Sequence, residues 1–342
     1  MSKVLVTGGA GFIGSHTCLE LLNAGHEVVV LDNLSNSSAE SLKRVQTLTS
    51  KTLDFIEGDI LDQQVLDQIF SSYNIEAVIH FAGLKAVGES QEFPLKYFEN
   101  NISGSISLVK AMERAEVFNL VFSSSATVYD EANVSPLNET MPTGMPSNNY
   151  GYTKLIVEQL LEKMAVSDTR WSIALLRYFN PVGAHESAKI GELPKGIPNN
   201  LVPYVTQTAA GIRETLSVWG DDYPTRDGTA IRDYIDVNDL ADAHVKAMTR
   251  LIENKNKTAL EFFNLGTGTG STVLEVVQAF ENANDLKINY QIQGRREGDI
   301  VEAYANNTLA KTELGWEPKT SLEESLRNSW KWEQGLRAEV EN

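Results

Sequence analysis

The sequence predicts an α/β fold, a Rossmann-like doubly wound parallel sheet joined to a smaller C-terminal α/β substrate lobe. Three observations point there: strands alternate with helical stretches through the first half, a glycine-rich turn follows the first strand, and this rhythm breaks after Asn180. Apolar, β-branched runs separated by amphipathic segments suit a buried parallel sheet with helices on both faces.

In chain order, strands are expected over residues 3–7, 27–32, 53–57, 77–81, 120–125 and 172–177. Val4-Leu5-Val6, Val28-Val29-Val30-Leu31 and Ala77-Val78-Ile79 are apolar at successive positions, so both faces are expected to be covered. One helix follows the first strand and carries Ile13, Cys18, Leu21 and Leu22; others are expected over 64–71, 102–115 and 150–164. Beyond Asn180, Pro181, Pro194, Pro198, Pro203 and Pro224 interrupt the chain, leaving one long helical pattern over 201–211. A buried strand at 262–265 and a helix over 273–284, capped by Ser271 or Thr272, come next. Trp330 and Trp332, with Leu326, are expected to pack a terminal helix. Two units result: 1–179 with 233–265, and 180–232 with 266–342.

The 342 residues carry 29 Lys and Arg against 46 Asp and Glu, a net charge of −17. Binding a polyanion needs a basic face, so nucleic acid is a poor partner. A lone cysteine, Cys18, allows no internal disulfide, and an inert buried thiol is expected. No run approaches the roughly 20 apolar residues that span a bilayer. Met1-Ser2-Lys3 leads directly into the first strand without an apolar signal region, so a soluble, cytoplasmic protein is expected. His16, His26, His80, His185 and His244 show no paired-ligand spacing, so no metal site is expected.

Gly8, Gly11 and Gly14 lie in the turn between the first strand and the first helix. They let the backbone turn tightly and approach a pyrophosphate, while the helix N-terminus offers N–H groups to it. Asp32 ends the second strand, 18 residues beyond Gly14, where a carboxylate binds a ribose 2′-hydroxyl and repels a 2′-phosphate. Asn33-Leu34-Ser35-Asn36 contains no arginine, so NAD is favoured over NADP. Asp59, after the third strand, is placed for the adenine edge or for a turn.

Tyr150 and Lys154 stand four apart, on one face of a helix. A lysine ammonium beside a phenol favours the phenolate and makes a usable base. Ser125, at the carboxyl end of the fifth strand, lies where open α/β sheets bind ligands and could share a substrate oxygen with Tyr150. Gly266-Thr267-Gly268-Thr269-Gly270 also follows a strand, but no acidic partner follows it, so a turn is expected.

Longer stretches carry a resemblance: VTGGAGFIGSH (6–16), HFAGLKAVGES (80–90), SSSATVY (123–129), LRYFNPVGAH (176–185), GIPNNL (196–201), DGTAIRDYI (227–235) and RREGD (295–299). With them the chain closely resembles the UDP-glucose (UDP-galactose) 4-epimerase family, among the extended short-chain dehydrogenases/reductases, over essentially its whole length. The resemblance implies tightly bound NAD, a UDP-hexose substrate and a homodimer built on helices such as 102–115 and 150–164. It places Phe12 and Ile13 on the cofactor phosphates. Asp32, Asn33, Leu34, Ser35, Asn36 and Ser37 would line the ribose, and Asp59 and Ile60 the adenine. Phe81, Ala82, Gly83, Leu84 and Lys85 would lead toward the nicotinamide half, with Asn100, or its neighbour Asn101, as a further contact. Tyr150 would be the acid/base, with Lys154 on the nicotinamide ribose and Phe179 beside the ring. Asn180, Asn200, Leu201, Ser217, Val218, Trp219, Arg232, Arg296, Glu297, Gly298 and Asp299 would hold the nucleotide sugar.

The implied reaction inverts carbon 4 of the hexose through a transient 4-keto sugar. Ala303 stands where a large tyrosine would exclude N-acetylated sugars, so N-acetylated UDP-hexoses are expected as substrates too, unless Tyr304 or Trp219 fills the gap. Phe12, Asp130 and Asp236 depart from the family's usual tyrosine, glycine and histidine. Two rivals are a nucleotide-sugar dehydratase or decarboxylase and a non-catalytic NAD-binding module. Dehydration calls for an acid pair after the active-site serine, where this chain has Ala126 and Thr127, and a passive module has no need of Ser125, Tyr150 and Lys154 together.

Overall fold

A computed structural model describes residues 1–341 apart from Ile197 and Glu297. The first unit runs β1 (Lys3–Thr7), α1 (Phe12–Asn23), β2 (Glu27–Asp32), α2 (Ala39–Thr49), β3 (Asp54–Glu57), α3 (Gln63–Ser72) and β4 (Ala77–His80). Short helices α4 (Val87–Glu92) and α5 (Pro94–Tyr97) lead through a wider π-type turn, Phe98–Ser103, into α6 (Gly104–Arg114). Then come β5 (Asn119–Ser125), α7 (Asn149–Ser167) and β6 (Ser172–Tyr178). The remainder holds β7 (Asn180–Val182), α8 (Leu201–Ala209), β8 (Leu216–Trp219), β9 (Ile231–Arg232), β10 (Tyr234–Asp236), α9 (Val237–Ile252) and β11 (Leu260–Leu265). It closes with β12 (Ser271–Thr272), α10 (Val273–Asn284), β13 (Tyr290–Gln293), β14 (Glu302–Ala303) and α11 (Leu322–Glu341).

Seven strands form one parallel sheet in the order β11-β6-β5-β4-β1-β2-β3. The order reverses direction between β1 and β4, which opens a crevice at their carboxyl ends. Alternate residues of the strands enter two cores. Val4, Val6, Val28 and Val30 pack with Leu19, Leu22, Leu42, Leu240 and Met248 from α1, α2 and α9. Leu5, Val29, Leu31 and Leu175 pack with Leu66, Leu108, Met112, Val157 and Leu161 from α3, α6 and α7. This is why the strands read as unbroken apolar runs.

The lobe is assembled from small pieces. β7 pairs with β10 and β8 with β13, both parallel, while β9 lies between β12 and β14. Val202, Val205, Leu216, Val218, Phe280 and Leu326 form its core. Among the described residues, no helix is long and apolar enough to cross a membrane.

The expected strands are all present, with ends shifted by one or two residues. The 102–115 stretch is not one α-helix: it is π-type up to Ser103, and Gly104 then packs so closely that a Cβ would lie 2.4 Å from Ile60 Cδ1. Thr272, not Ser271, caps α10, in a reciprocal capping box with Glu275. Helices α2, α4, α5 and α9 were not among the expected elements. In α2 only Leu42 and Val45 are buried, a stripe too narrow to stand out.

Candidate active site

A cleft of about 660 Å³ opens over the carboxyl ends of β1, β2, β4, β5 and β6. Its lining brings together most of the expected residues: Gly8, Gly11, Phe12, Ile13, Gly14, Asp32, Asn33, Ser35, Asn36, Ser37, Ile60, Phe81 through Lys85, Asn100, Ser125, Tyr150, Lys154 and Phe179. From the lobe come Asn180, Asn200, Arg232 and Ala303.

The glycine turn is built for close approach. A Cβ on Gly14 would sit 2.3 Å from Gly8 O, and one on Gly8, at φ +72°, would sit 2.7 Å from Ala82 N. Gly11 opens α1 with no side-chain cap, so the N–H groups of the first turn face the cleft for a ligand. Asp32 is held by three donors: the Ala10 N–H at 3.0 Å, the Leu34 N–H at 2.9 Å and the Ser37 hydroxyl at 2.7 Å. Asp59 accepts from Asn33 Nδ2 at 2.8 Å and from the Leu61 N–H at 2.9 Å, and it lies outside the cleft lining. Leu34 likewise lies outside the lining, with its carbonyl accepting from Lys195 Nζ at 2.7 Å. Asn100 lines the cleft, whereas Asn101 is buried and braces the Leu84 backbone and the Thr153 hydroxyl.

Asn148 starts α7 by accepting the Gly151 N–H at 2.8 Å, and this sets Tyr150 in the helix's first turn. Gly151 lets that turn lie against Pro146 and Thr127. Ser125 ends β5 and accepts from the Thr127 hydroxyl at 3.0 Å, so its own proton is available to the cleft. Lys154 Nζ donates to Ser123 O at 2.7 Å and sits 4.8 Å from the Phe122 ring centre.

The phenolate expected beside Lys154 is opposed by burial, which pushes the Tyr150 phenol well up; Tyr178 adds to the rise and Ser125 opposes it. Burial also brings Lys154 down to about 8, against the pull of Glu158. Beneath the cleft, His80 is pushed down to about 3, chiefly by burial, and links Thr7 and Ser105 as a neutral ring.

On the lobe side, Arg232 Nη2 contacts Asp299 Oδ1 at 2.6 Å, and Arg296 reaches the other oxygen at 3.1 Å. Leu201, Ser217, Val218, Trp219, Arg296, Gly298 and Asp299 do not line the cleft themselves. Val218 is fully buried in the lobe core, because the β8 alternation turns Ser217 and Trp219 outward. Leu201 packs against the same core. Glu297 lies outside the described residues.

Several lining residues had no local signal. Glu192 accepts from Lys85 at 3.1 Å and Asn200 at 2.8 Å. Trp332 both packs α11 and lines the cleft, donating to Glu192 O at 2.8 Å. Arg44, from α2, supplies a cation beyond the 33–36 stretch, but it is engaged with Lys189 O and the Trp332 ring. The 266–270 glycines form a turn organised by Asp233, which accepts the Thr267 and Gly268 N–H groups. Cys18 is buried, with its thiol pushed up by burial. Among the described residues, no cluster of His, Cys, Asp and Glu could hold a metal.

Residues 4–266 match the NAD dependent epimerase/dehydratase family. The chain is 57% identical to a UDP-glucose 4-epimerase of Bacillus subtilis over 96% of each sequence. Its fold superposes on a UDP-glucose 4-epimerase from Stenotrophomonas maltophila, solved with bound NAD and formylated UDP-arabinopyranose, with TM-score 0.96 and 49% identity over 99% of this chain and 100% of that one. A UDP-glucose 4-epimerase from Bifidobacterium longum, in complex with NAD+ and UDP, gives 0.93 and 47% over 98% of each. The glycine turn, the Asp32 anchor and the Ser125–Tyr150–Lys154 group thus sit in a chain that belongs to the NAD dependent epimerase/dehydratase family.

Proposed function

We propose that this isomerase interconverts UDP-galactose and UDP-glucose by NAD-dependent inversion at carbon 4. The observation that carries the reading is the convergence of three devices on one cleft: the glycine turn with Asp32, the Ser125–Tyr150–Lys154 group, and Arg232. The full-length likeness to UDP-glucose 4-epimerases supports it.

The residues fit a dinucleotide. Gly8 and Gly14 leave a cradle that a Cβ would fill, the uncapped first turn of α1 offers N–H groups, and Asp32 presents a fixed carboxylate. Phe12 and Ile13 would hold the pyrophosphate, Asp32 to Ser37 the ribose, and Lys154 and Phe179 the nicotinamide half. When bound, NAD+ supplies a hydride acceptor and a positive ring that favours the Tyr150 phenolate over its raised resting state. Tyr150 would then take the 4-hydroxyl proton as carbon 4 is oxidised to the 4-keto sugar. Ser125 donates to the same oxygen. Once the sugar has turned over, Tyr150 would return the proton to the 4-oxygen and carbon 4 would take hydride back from the cofactor, leaving no net oxidation.

The uridine diphosphate must stay fixed while the hexose turns. Arg232 and Arg296 suit that task, since their planar forks match diphosphate oxygens and stay charged. We assign Asn180, Asn200 and Ala303 to the sugar side of the cleft. Neither candidate fills the gap beside Ala303: Trp219 is exposed outside the cleft, and the Tyr304 ring packs over Gly270. The same reading takes N-acetylated UDP-hexoses as further substrates, supported by the small Ala303 in the cleft lining.

A homodimer through α6 and α7 belongs to the same reading, supported by Ile106, Ile156 and Leu160, which are only partly buried by the chain's own packing. The decisive assay incubates purified protein with UDP-galactose and looks for UDP-glucose. Tyr150→Phe is expected to abolish turnover and keep the nucleotide; full activity in that variant would remove the base.

A further inference from the structure

We propose that Glu158 is a positioning residue for this reaction: paired with Arg177 behind the catalytic face of α7, it fixes that helix to the strand end that carries Ser125. The proposal rests on the epimerase reading above.

Tyr150, Lys154 and Glu158 follow one another at four-residue intervals and so share one face of α7. Lys154 Nζ donates to Ser123 O at 2.7 Å, and Ser124 Oγ donates to Glu158 Oε1 at 2.5 Å. Two side chains one turn apart therefore grip two successive residues of β5, immediately before Ser125. Arg177, opposite Ser124 in the sheet register, closes the arrangement with a fork on Glu158 at 2.9 and 2.6 Å. Both members of the pair are buried, at 3% and 4% exposure.

The tie reaches the sugar side of the cleft. The Arg177 guanidinium lies 4.8 Å from the Tyr129 ring centre and 4.7 Å from that of Phe262. Tyr129 donates to Asn264 Oδ1 at 2.7 Å, Asn264 Nδ2 to Leu137 O at 2.8 Å, and the Leu137 N–H to Tyr304 O at 2.9 Å, next to Ala303. A buried ion pair is a weak stabiliser, but losing one member leaves an uncompensated charge. Glu158 also faces the Lys154 ammonium electrostatically. The titratable groups coupled to that ammonium are Glu158 on α7 and His80 on β4. Glu158 is the carboxylate among them, and it favours the charged lysine against the cost of burial.

The test measures kcat, KM for UDP-galactose and the pH profile of kcat on NAD-loaded enzyme. Glu158→Gln is expected to lower kcat by about 10-fold or more, with KM changed by less than about 3-fold and nucleotide content unchanged. The alkaline limb of kcat is expected to move to lower pH, because the ammonium has lost its anion. Arg177→Lys keeps the charge and loses the fork, so kcat falls while the limb stays. Wild-type kcat and an unmoved limb in Glu158→Gln, with only a lower melting temperature, would overturn the proposal. Should that variant fail to fold, Glu158→Asp carries the test: reduced kcat with the wild-type limb supports positioning, and wild-type kcat refutes it. Wild-type enzyme inert toward UDP-galactose would instead count against the epimerase reading.

Discussion

Arg232 Nη2 lies 2.6 Å from Asp299 Oδ1, with both side chains mostly buried, so a carboxylate orients the guanidinium that lines the cleft. A chain of net charge −17 thus places a cation where a diphosphate is expected, held by its own carboxylate partner. Replacing Arg232 by Lys removes the planar fork and keeps the charge. KM for UDP-galactose is expected to rise about 10-fold or more, with nucleotide content unchanged. Steady-state kinetics and nucleotide released on denaturation check this.

Gly14→Ala places a Cβ 2.3 Å from a backbone oxygen that cannot move aside without opening the turn. The purified variant is expected to carry little or no NAD, measured by absorbance of the nucleotide released on denaturation. A wild-type load would mean the turn does not cradle the cofactor.

Asp236 gives a pH-dependent prediction. It caps α9 by accepting the Asn238 N–H at 2.8 Å and takes the Ser325 hydroxyl at 2.7 Å, while burial pushes its carboxyl up to about 6. A carboxyl raised on folding holds its proton better in the folded chain, so stability falls as pH climbs from about 4 to about 6 and the cost is complete above that. Asn caps helices as well as Asp. Asp236→Asn is expected to be more stable by roughly 2–3 kcal/mol near pH 7.5, the gain shrinking below pH 6. Chemical denaturation across pH shows whether it does.

Ala303 offers a specificity test. Ala303→Tyr fills the space beside the sugar and is expected to lower turnover of UDP-N-acetylglucosamine by about 100-fold or more while sparing UDP-galactose. Wild-type protein inactive toward the N-acetylated sugar would show that something else closes the pocket.

What could be read in the sequence follows the range of the forces involved. The glycine turn, Asp32 and the Tyr150–Lys154 spacing are local patterns, and the structure gathers them in one cleft. The large sheet was legible because its strands are built on runs of successive apolar residues. Strands of two or three residues, such as β9, β10, β12 and β14, have no periodicity to detect. Glu192 and Trp332 reach the cleft only through tertiary packing, from a proline-broken loop and a terminal helix. The phenol's raised state was missed for a related reason: spacing reveals a neighbouring lysine, whereas burial depends on everything folded around it.

The most direct test of the central claim follows the hydrogen on carbon 4. NAD-loaded enzyme is given UDP-galactose deuterated at that carbon, with no added cofactor, and the product is examined by mass spectrometry and NMR. The account predicts UDP-glucose that keeps the deuterium on carbon 4, since the hydride leaves and returns within one cleft. Product in which that deuterium has exchanged with solvent, or no UDP-glucose from fully loaded enzyme, would contradict it.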